Sequence, residues 1–268
     1  MLKSCHFDIE ERRRETNKTM KHMISPDQKP EVQMGDMGKL YDEQAPAFAE
    51  KAKGLVWWET IGKEAYNRHL GDEFYGRQNL EIADLGSASA RVEEFLIDKG
   101  IPAKSFTGVE ISPDQVKIAQ QRIPEAEFIV GDISEIKLPK GKFNLVFSNM
   151  VFEFLSPDKF VRTMENTAKA LKPDGTLFYI TTHPDKMKIN SGLEEPGVFT
   201  VKFPWGGEGP NYYRTKEDFI KATEEAGFKI QALEDLNLPK EAEQIDPDEY
   251  KRYMQYPNTR LVIKAVKK

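Results

Sequence analysis

The sequence predicts a doubly wound α/β fold with seven strands in a mostly parallel sheet. Short apolar segments alternate with amphipathic segments of helical periodicity between residues 80 and 182. Strands that alternate with helices at this spacing form βαβ units, in which helices cover both faces of a parallel sheet. Two further apolar segments follow near the end of the chain, with no helix of crossover length between them. We therefore expect an antiparallel strand at one edge of the sheet.

Each predicted strand is a short apolar run bounded by turn-forming or polar residues. The predicted strands span residues 80–85, 105–111, 127–130, 143–148, 176–182, 228–236 and 259–266. The predicted helices of this part of the chain span residues 91–99, 112–122, 156–171 and 215–227. The second helix has the clearest start, because Ser112 is a good N-cap, Pro113 suits the first helical position and Gln115 completes a capping box.

Three parts of the chain differ in character. Residues 1–36 are predicted to be an N-terminal arm, either loosely attached or a single helix. Residues 37–78 are predicted to be a helical cap, because their apolar side chains recur at steps of three and four residues. Residues 79–268 form the α/β core, interrupted at 184–214 by a long, irregular connection rich in aromatic residues. Such connections often serve as lids or binding elements.

Composition excludes several classes of function. The 268 residues include 39 Lys and Arg against 44 Asp and Glu, for a net charge of −5, so nucleic acid is not an expected partner. The longest apolar runs fall short of the roughly 18 residues that span a bilayer, so no membrane partner is expected. The charged start does not resemble a secretory signal, and the single cysteine cannot form an internal disulfide. We expect a cytoplasmic monomer or homodimer with a small-molecule site.

Three successive predicted strands end at an acidic residue. These residues are Asp84, Glu110 and Asp132. Ligands of open α/β sheets bind outside the carboxyl ends of the strands, so the three carboxylates are expected to face one site. Carboxylates are strong hydrogen-bond acceptors and suit a ligand rich in donors, such as ribose hydroxyls, an exocyclic amine and an ammonium group.

These motifs, in this order, resemble the class I, Rossmann-like S-adenosylmethionine-dependent methyltransferases that act on small molecules. Glu81–Gly86 resembles the family's first motif, Glu110 its ribose-binding acid and Asp132 the acid that contacts the adenine amine. Ala170–Leu177 resembles the turn into the fifth strand, and Tyr41 belongs to an N-terminal Tyr-Asp that closes over the cofactor. The resemblance implies S-adenosylmethionine as cofactor and S-adenosylhomocysteine as product. The implied cofactor-binding residues are Tyr41, Asp84, Gly86, Ser87, Ala88, Glu110, Ile111, Asp132, Ile133, Ser148 and Asn149.

The loop after the first strand departs from the family pattern. Ala88 and Ala90 stand where glycines are usual in the family. We expect both alanines to take ordinary backbone angles and the cofactor to bind; the alternative is a repurposed or non-catalytic member with an altered cofactor site. A dinucleotide-dependent dehydrogenase is disfavoured, because the loop keeps only the first glycine of G-x-G-x-x-G. Phe154 stands where many relatives have histidine, so a Glu–His pair is not available there.

The reaction implied is in-line transfer of a methyl group to an oxygen or nitrogen of a small-molecule acceptor. Alignment in a dry pocket is the main requirement, and a base is needed only where the nucleophile must lose a proton. His183 follows the fifth strand and is the candidate general base; no metal is indicated. An RNA or protein acceptor is the alternative that the acidic balance disfavours. The candidate acceptor-binding residues are Trp57, Met150, Glu153, His183, Phe203, Trp205, Tyr212 and Tyr213.

Overall fold

The computed structural model describes residues 34–51, 54–203 and 206–268. Most of the predicted N-terminal arm and the candidate residue Trp205 lie outside the described residues. In the described part of the chain, no helix combines the length and the apolar character needed to cross a bilayer.

Seven of the nine strands in the described chain form one central sheet. The strands are β1 Ile82–Leu85, β2 Phe106–Glu110, β3 Glu127–Val130, β4 Phe143–Asn149, β5 Leu171–Thr182, β6 Gly197–Lys202, β7 Glu208–Tyr213, β8 Phe228–Leu236 and β9 Arg260–Lys267. Their order in the sheet is β3-β2-β1-β4-β5-β9-β8, and β6 pairs with β7 in a separate hairpin. The predicted seven-stranded, mostly parallel sheet is confirmed.

The antiparallel strand lies one place in from the edge of the sheet. β9 runs antiparallel to both β5 and β8, with Leu177 opposite Ala265 and Thr182 opposite Arg260. Most of β9 is buried, whereas β8 alternates between less and more exposed residues, as an edge strand does. The sequence predicted that the antiparallel strand would be the edge strand. In the structure the antiparallel strand is β9, and the edge strand is β8, which pairs with β9 alone.

Helices cover both faces of the sheet and the carboxyl ends of its strands. The α-helices of the described chain are α1 Met34–Glu43, α2 Ala45–Lys51, α3 Lys63–Phe74, α4 Arg91–Asp98, α5 Pro113–Arg122, α6 Pro157–Ala170, α7 Pro184–Ser191, α8 Lys216–Glu225 and α9 Pro247–Tyr253. Alternate residues of β5 enter opposite cores: Phe178 packs with Tyr66 on one face, and Tyr179 packs with Phe219 on the other. The sheet is therefore buried on both sides, as predicted.

The described residues of the connection at 184–214 include a helix and a two-stranded hairpin, not only the irregular segment that was expected. α7 begins directly after β5, with His183 as its N-cap and Pro184 at its first position. The β6–β7 hairpin follows, with Gly197 opposite Tyr213. This irregular-loop prediction was wrong because residues 197–202 are rich in β-branched and aromatic side chains, which favour a strand.

The helical cap is fixed to the core by hydrogen bonds at the start of α5. Oδ1 of Asp42, in α1, accepts a hydrogen bond from Oγ of Ser112 at 2.5 Å and one from the backbone N–H of Asp114 at 3.2 Å. Ser112 also accepts from the backbone N–H of Gln115, which confirms the predicted N-cap. This contact brings Tyr41, the residue before Asp42, over the carboxyl ends of β1 and β2.

Candidate active site

A cavity of about 430 Å³ lies at the carboxyl ends of the central strands. It sits where the sheet order reverses between β1 and β4, the place where open α/β sheets bind their ligands. The predicted site residues that line it are Tyr41, Trp57, Asp84, Gly86, Ser87, Ala88, Glu110, Ile111, Asp132, Ile133, Asn149, Met150, Glu153 and Phe203. The three acidic strand ends therefore do face one site.

The loop between β1 and α4 contains three residues with positive φ. Gly86 has φ +93°, and a Cβ there would lie 2.3 Å from Cγ2 of Val151, so glycine is required for both reasons. Ala88 has φ +44° and Ala90 has φ +61°. The expectation of ordinary angles at both alanines was wrong. The loop must turn sharply so that the N–H of Ala88 meets Glu110 and Ala90 can cap α4.

Glu110 is held at the end of β2 by backbone donors. Its side chain is 7% exposed; Oε2 accepts from the N–H of Ala88 at 3.0 Å and Oε1 from the N–H of Ser112 at 2.9 Å. Burial raises the pKa of Glu110, and the hydrogen bonds from these backbone groups and from Ile111 oppose that rise. Each oxygen retains acceptor capacity, which fits a ligand with neighbouring hydroxyl groups.

Asp132 is fixed in its ionised form. Oδ1 accepts from the backbone N–H and the hydroxyl of Ser134, at 2.9 and 2.8 Å, and Oδ2 lies 2.8 Å from Nζ of Lys159. Burial opposes ionisation, but the hydrogen bonds from Lys159 and Ser134 outweigh it and lower the pKa of Asp132. A charged acceptor of fixed orientation fits an exocyclic amine.

Asp84 shares a buried environment with Glu93, a residue of α4 that the sequence did not single out. Burial and the neighbouring Glu93 raise the pKa of Asp84 well above its ordinary value, and burial raises the pKa of Glu93 to about 7. Four buried oxygens of cavity-lining residues have no hydrogen-bond partner in the described part of the chain: Asp84 Oδ1, Ser87 Oγ, Asn149 Oδ1 and Asn211 Oδ1. Such oxygens fit the ammonium and hydroxyl donors of S-adenosylmethionine.

His183 lies outside the cavity wall and caps α7. It is 2% exposed. Its Nδ1 accepts a hydrogen bond from the backbone N–H of Asp185 at 3.0 Å, which caps α7. Nε2 therefore carries the proton in neutral His183 and donates it to Oδ1 of Asp235 at 3.0 Å. Both ring nitrogens thus have hydrogen-bond partners in the described chain, and the predicted role as general base would require these contacts to change.

Three other candidate residues lie outside the cavity wall. Ser148 donates a hydrogen bond to the carbonyl of Leu85 at 2.7 Å and so joins β4 to β1. Tyr212 and Tyr213 are buried in β7, where Tyr213 belongs to the hydrophobic core. The structure therefore does not bring these three residues to the cavity, because Ser148 joins two strands and β7 directs its two tyrosines into the protein.

The segment after β4 is held in place by a buried arginine. Arg214 donates hydrogen bonds to the carbonyls of Phe152 and Leu155, and its guanidinium lies 4.8 Å from the ring centroid of Phe160. Burial lowers the pKa of Arg214 to about 10. Glu153, inside this segment, accepts hydrogen bonds from the hydroxyls of Thr181 and Thr182, at 2.9 and 2.8 Å. This network fixes a carboxylate in the wall of the cavity.

The far end of the cavity is built from residues that the sequence did not reveal. These are Lys186, Asn190, Glu249, Arg252, Tyr253, Tyr256 and Arg260. They come from α7, α9, the connection after α9 and the start of β9, so this end combines aromatic rings with positive charge. The three tyrosines between β8 and β9 were the available hint, since aromatic residues are uncommon in a purely solvated connection.

Comparison with known proteins identifies the family of the domain. Residues 82–175 match the methyltransferase domain family. Trans-aconitate 2-methyltransferase from Rhodopseudomonas palustris is 27% identical over 137 residues, 51% of this chain and 43% of that enzyme. Malonyl-[acyl-carrier protein] O-methyltransferase from Priestia megaterium is 26% identical over 145 residues, 53% of this chain and 47% of that enzyme. The matches span less than half the length of these two curated relatives.

The fold is shared with solved methyltransferases. An S-adenosylmethionine-dependent methyltransferase from Mesorhizobium loti superposes with a TM-score of 0.60 at 18% identity, and the match covers 76% of this chain and 98% of the other. The chain thus has the class I S-adenosylmethionine-dependent methyltransferase fold, and its residues 82–175 match the methyltransferase domain family.

Proposed function

We propose that this protein transfers the methyl group of S-adenosylmethionine to an oxygen or nitrogen atom of a small-molecule acceptor. One observation carries the proposal: three acidic strand ends line one end of a cavity whose other end is aromatic and cationic. The names of the relatives support a small acceptor, since one acts on trans-aconitate and another on malonyl-[acyl-carrier protein]. A cavity of about 430 Å³ suits a small acceptor better than a nucleic-acid or protein chain.

The carboxyl end of the sheet would hold the cofactor. Glu110 would accept hydrogen bonds from the ribose hydroxyls and Asp132 from the adenine amine, with Ile133 beside the ring. The buried oxygens of Asp84 and Asn149 would accept from the ammonium group. When bound, the cofactor supplies a methyl group that its sulfonium has already activated for displacement.

The protein's own part in the reaction is positioning and exclusion of water. Tyr41 is half-buried over the strand ends, and desolvation together with Glu110 and Glu153 raises its pKa, so Tyr41 stays a neutral phenol. Its ring lies 6.2 Å from that of Phe203, which closes the cavity between the helical cap and the β6–β7 hairpin. Since His183 lies outside the cavity wall, the acceptor atom must be nucleophilic without losing a proton to that histidine.

Calorimetric titration with S-adenosylmethionine and S-adenosylhomocysteine tests the proposal. We expect both to bind, and Glu110→Ala and Asp132→Ala each to weaken binding by at least about tenfold, the effect of losing a hydrogen bond to a charged group. Glu125→Ala, which removes an exposed carboxylate in the turn before β3, is the matched control and should bind as the wild type does. Absence of binding at millimolar concentration would refute the proposal.

A further inference from the structure

The far end of the cavity contains a buried arginine without a carboxylate partner in the described chain. Arg260 is 3% exposed, and it donates from Nη1 to the carbonyl of Thr259 at 2.8 Å and from Nη2 to the hydroxyl of Tyr253 at 2.9 Å. Its Nε is buried and has no hydrogen-bond partner among the described residues. The guanidinium lies 4.4 Å from the ring centroid of Trp57 and 5.3 Å from that of Tyr253.

A lysine on α7 shares one of these rings. Nζ of Lys186 lies 4.4 Å from the ring centroid of Tyr253 and 5.4 Å from that of Tyr256. Within the described residues, no carboxylate oxygen lies within ion-pair distance of this ammonium group. Burial, together with Arg260 and Arg252, lowers the pKa of Lys186 to about 7. The two cations therefore face the same end of the cavity and disfavour each other's charge.

The carboxylates near these cations already have other partners. Glu249 lies 3.2 Å from Nη2 of Arg252. Glu153 accepts hydrogen bonds from two threonine hydroxyls of β5. Neither carboxylate makes a direct ion pair with Lys186 or Arg260, so positive charge at this end of the cavity exceeds what the described chain neutralises.

Buried positive charge without a counter-ion is costly, and aromatic faces offset only part of the cost. A ligand carboxylate would supply the counter-ion and accept from the free Nε–H of Arg260. We infer that the acceptor carries a carboxylate group and that Lys186 and Arg260 bind it, with the rings of Trp57 and Tyr253 at its sides. This inference rests on the proposed function and adds the chemical class of the acceptor.

The geometry also accounts for where such an acceptor would lie. Arg260 is opposite Thr182 in the β5–β9 ladder, and Lys186 is in the first turn of the helix that follows β5. Both cations are thus fixed to the end of one strand. The acidic strand ends lie across the cavity, so a carboxylate is attracted to one end and repelled from the other. An acceptor with one anionic group would consequently bind in a single orientation.

Binding of carboxylate probes to the protein saturated with S-adenosylhomocysteine tests this inference. The probes are acetate, malonate and trans-aconitate, each paired with its neutral methyl ester, and the readouts are calorimetry and tryptophan fluorescence, because Trp57 contacts Arg260. We expect at least one acid to bind about tenfold more tightly than its ester. Lys186→Gln and Arg260→Gln should each weaken the binding of that acid by about tenfold or more. Arg260→Lys should bind it more tightly than Arg260→Gln does.

Lys188→Gln is the matched control, because Lys188 lies on the same helix but is paired with Glu194 at 2.9 Å on the surface. It should leave probe binding within about twofold of the wild type. Equal affinity of acids and esters, no binding of any acid, or unchanged affinity in Lys186→Gln would overturn the inference. Binding of S-adenosylhomocysteine to each variant is measured first. If the wild-type protein did not bind S-adenosylhomocysteine, the proposed function itself would be refuted. Failure of the proposed function is therefore distinguishable from failure of the carboxylate inference.

Discussion

Ala88 occupies a backbone conformation that suits glycine. At φ +44°, an L-residue is destabilised by about 1–2 kcal/mol relative to ordinary angles, whereas glycine is not. Glycine in turn makes the unfolded chain more flexible, which costs about 0.4–1 kcal/mol. The side chain of Ala88 is only half-buried, so loss of its methyl group costs a few tenths of a kcal/mol. We expect Ala88→Gly to raise the free energy of unfolding by about 0.5 kcal/mol.

Ala168→Gly gives the same chemical change in an ordinary helix. Ala168 lies in α6 and is also half-buried, so its replacement should lower the free energy of unfolding by about 1 kcal/mol. The two variants should differ in sign in urea unfolding, and their Tm values should lie on opposite sides of the wild-type Tm, separated by about 3–6 °C. If Ala88→Gly destabilised the protein as much as Ala168→Gly, positive φ at position 88 would not be a source of strain.

Three further predictions concern titratable groups in the cavity or directly behind its wall. Lys159→Met removes the group that lowers the pKa of Asp132, so cofactor affinity should fall more at pH 5 than at pH 8 in calorimetric titrations. Because the pKa of Lys186 is about 7, binding of a carboxylate probe should weaken as pH rises from 6 to 9, and the slope should flatten in Lys186→Gln. The pKa of Glu93 is raised from 4.5 to about 7, so the folded state binds more protons than the unfolded state in that window and stability falls as pH rises through it. Glu93→Gln should remove part of this slope in urea unfolding at pH 5 and pH 8, whereas an unchanged slope would assign the protons to another group.

The cofactor end of the site could be predicted from sequence because its residues sit at local boundaries. Asp84 and Glu110 each close a short apolar strand, and parallel strands bring such ends to one edge of the sheet. The N-cap at Ser112 was visible for the same reason, since a cap is defined by residues within one turn. The local sequence pattern, together with the rule that parallel strands end at one edge of the sheet, was sufficient to predict this end of the site.

The acceptor end could not be predicted in this way. Lys186 and Arg260 are far apart in sequence, and they meet only because β9 inserts beside β5 in the antiparallel sense. No local periodicity reports which strand a later strand will join. The position of His183 could not be predicted for a related reason: the end of β5 is also the start of α7, and Nδ1 of His183 accepts from the backbone N–H of Asp185, which caps that helix.

The two ends of the cavity therefore originate in different parts of the sheet and carry opposite charge. Asp84 and Glu110 lie at the ends of β1 and β2, and Asp132 lies in the loop directly after β3. These three strands belong to the parallel half of the sheet. The cations belong to elements that flank the β5–β9 pair. A ligand with a sulfonium and an ammonium is favoured at the acidic end, whereas a cationic amine at the other end would meet Lys186 and Arg260, neither of which has a direct carboxylate partner among the described residues. Substitutions around β9 can thus change the class of acceptor while the acidic strand ends, and with them the cofactor site, stay as they are.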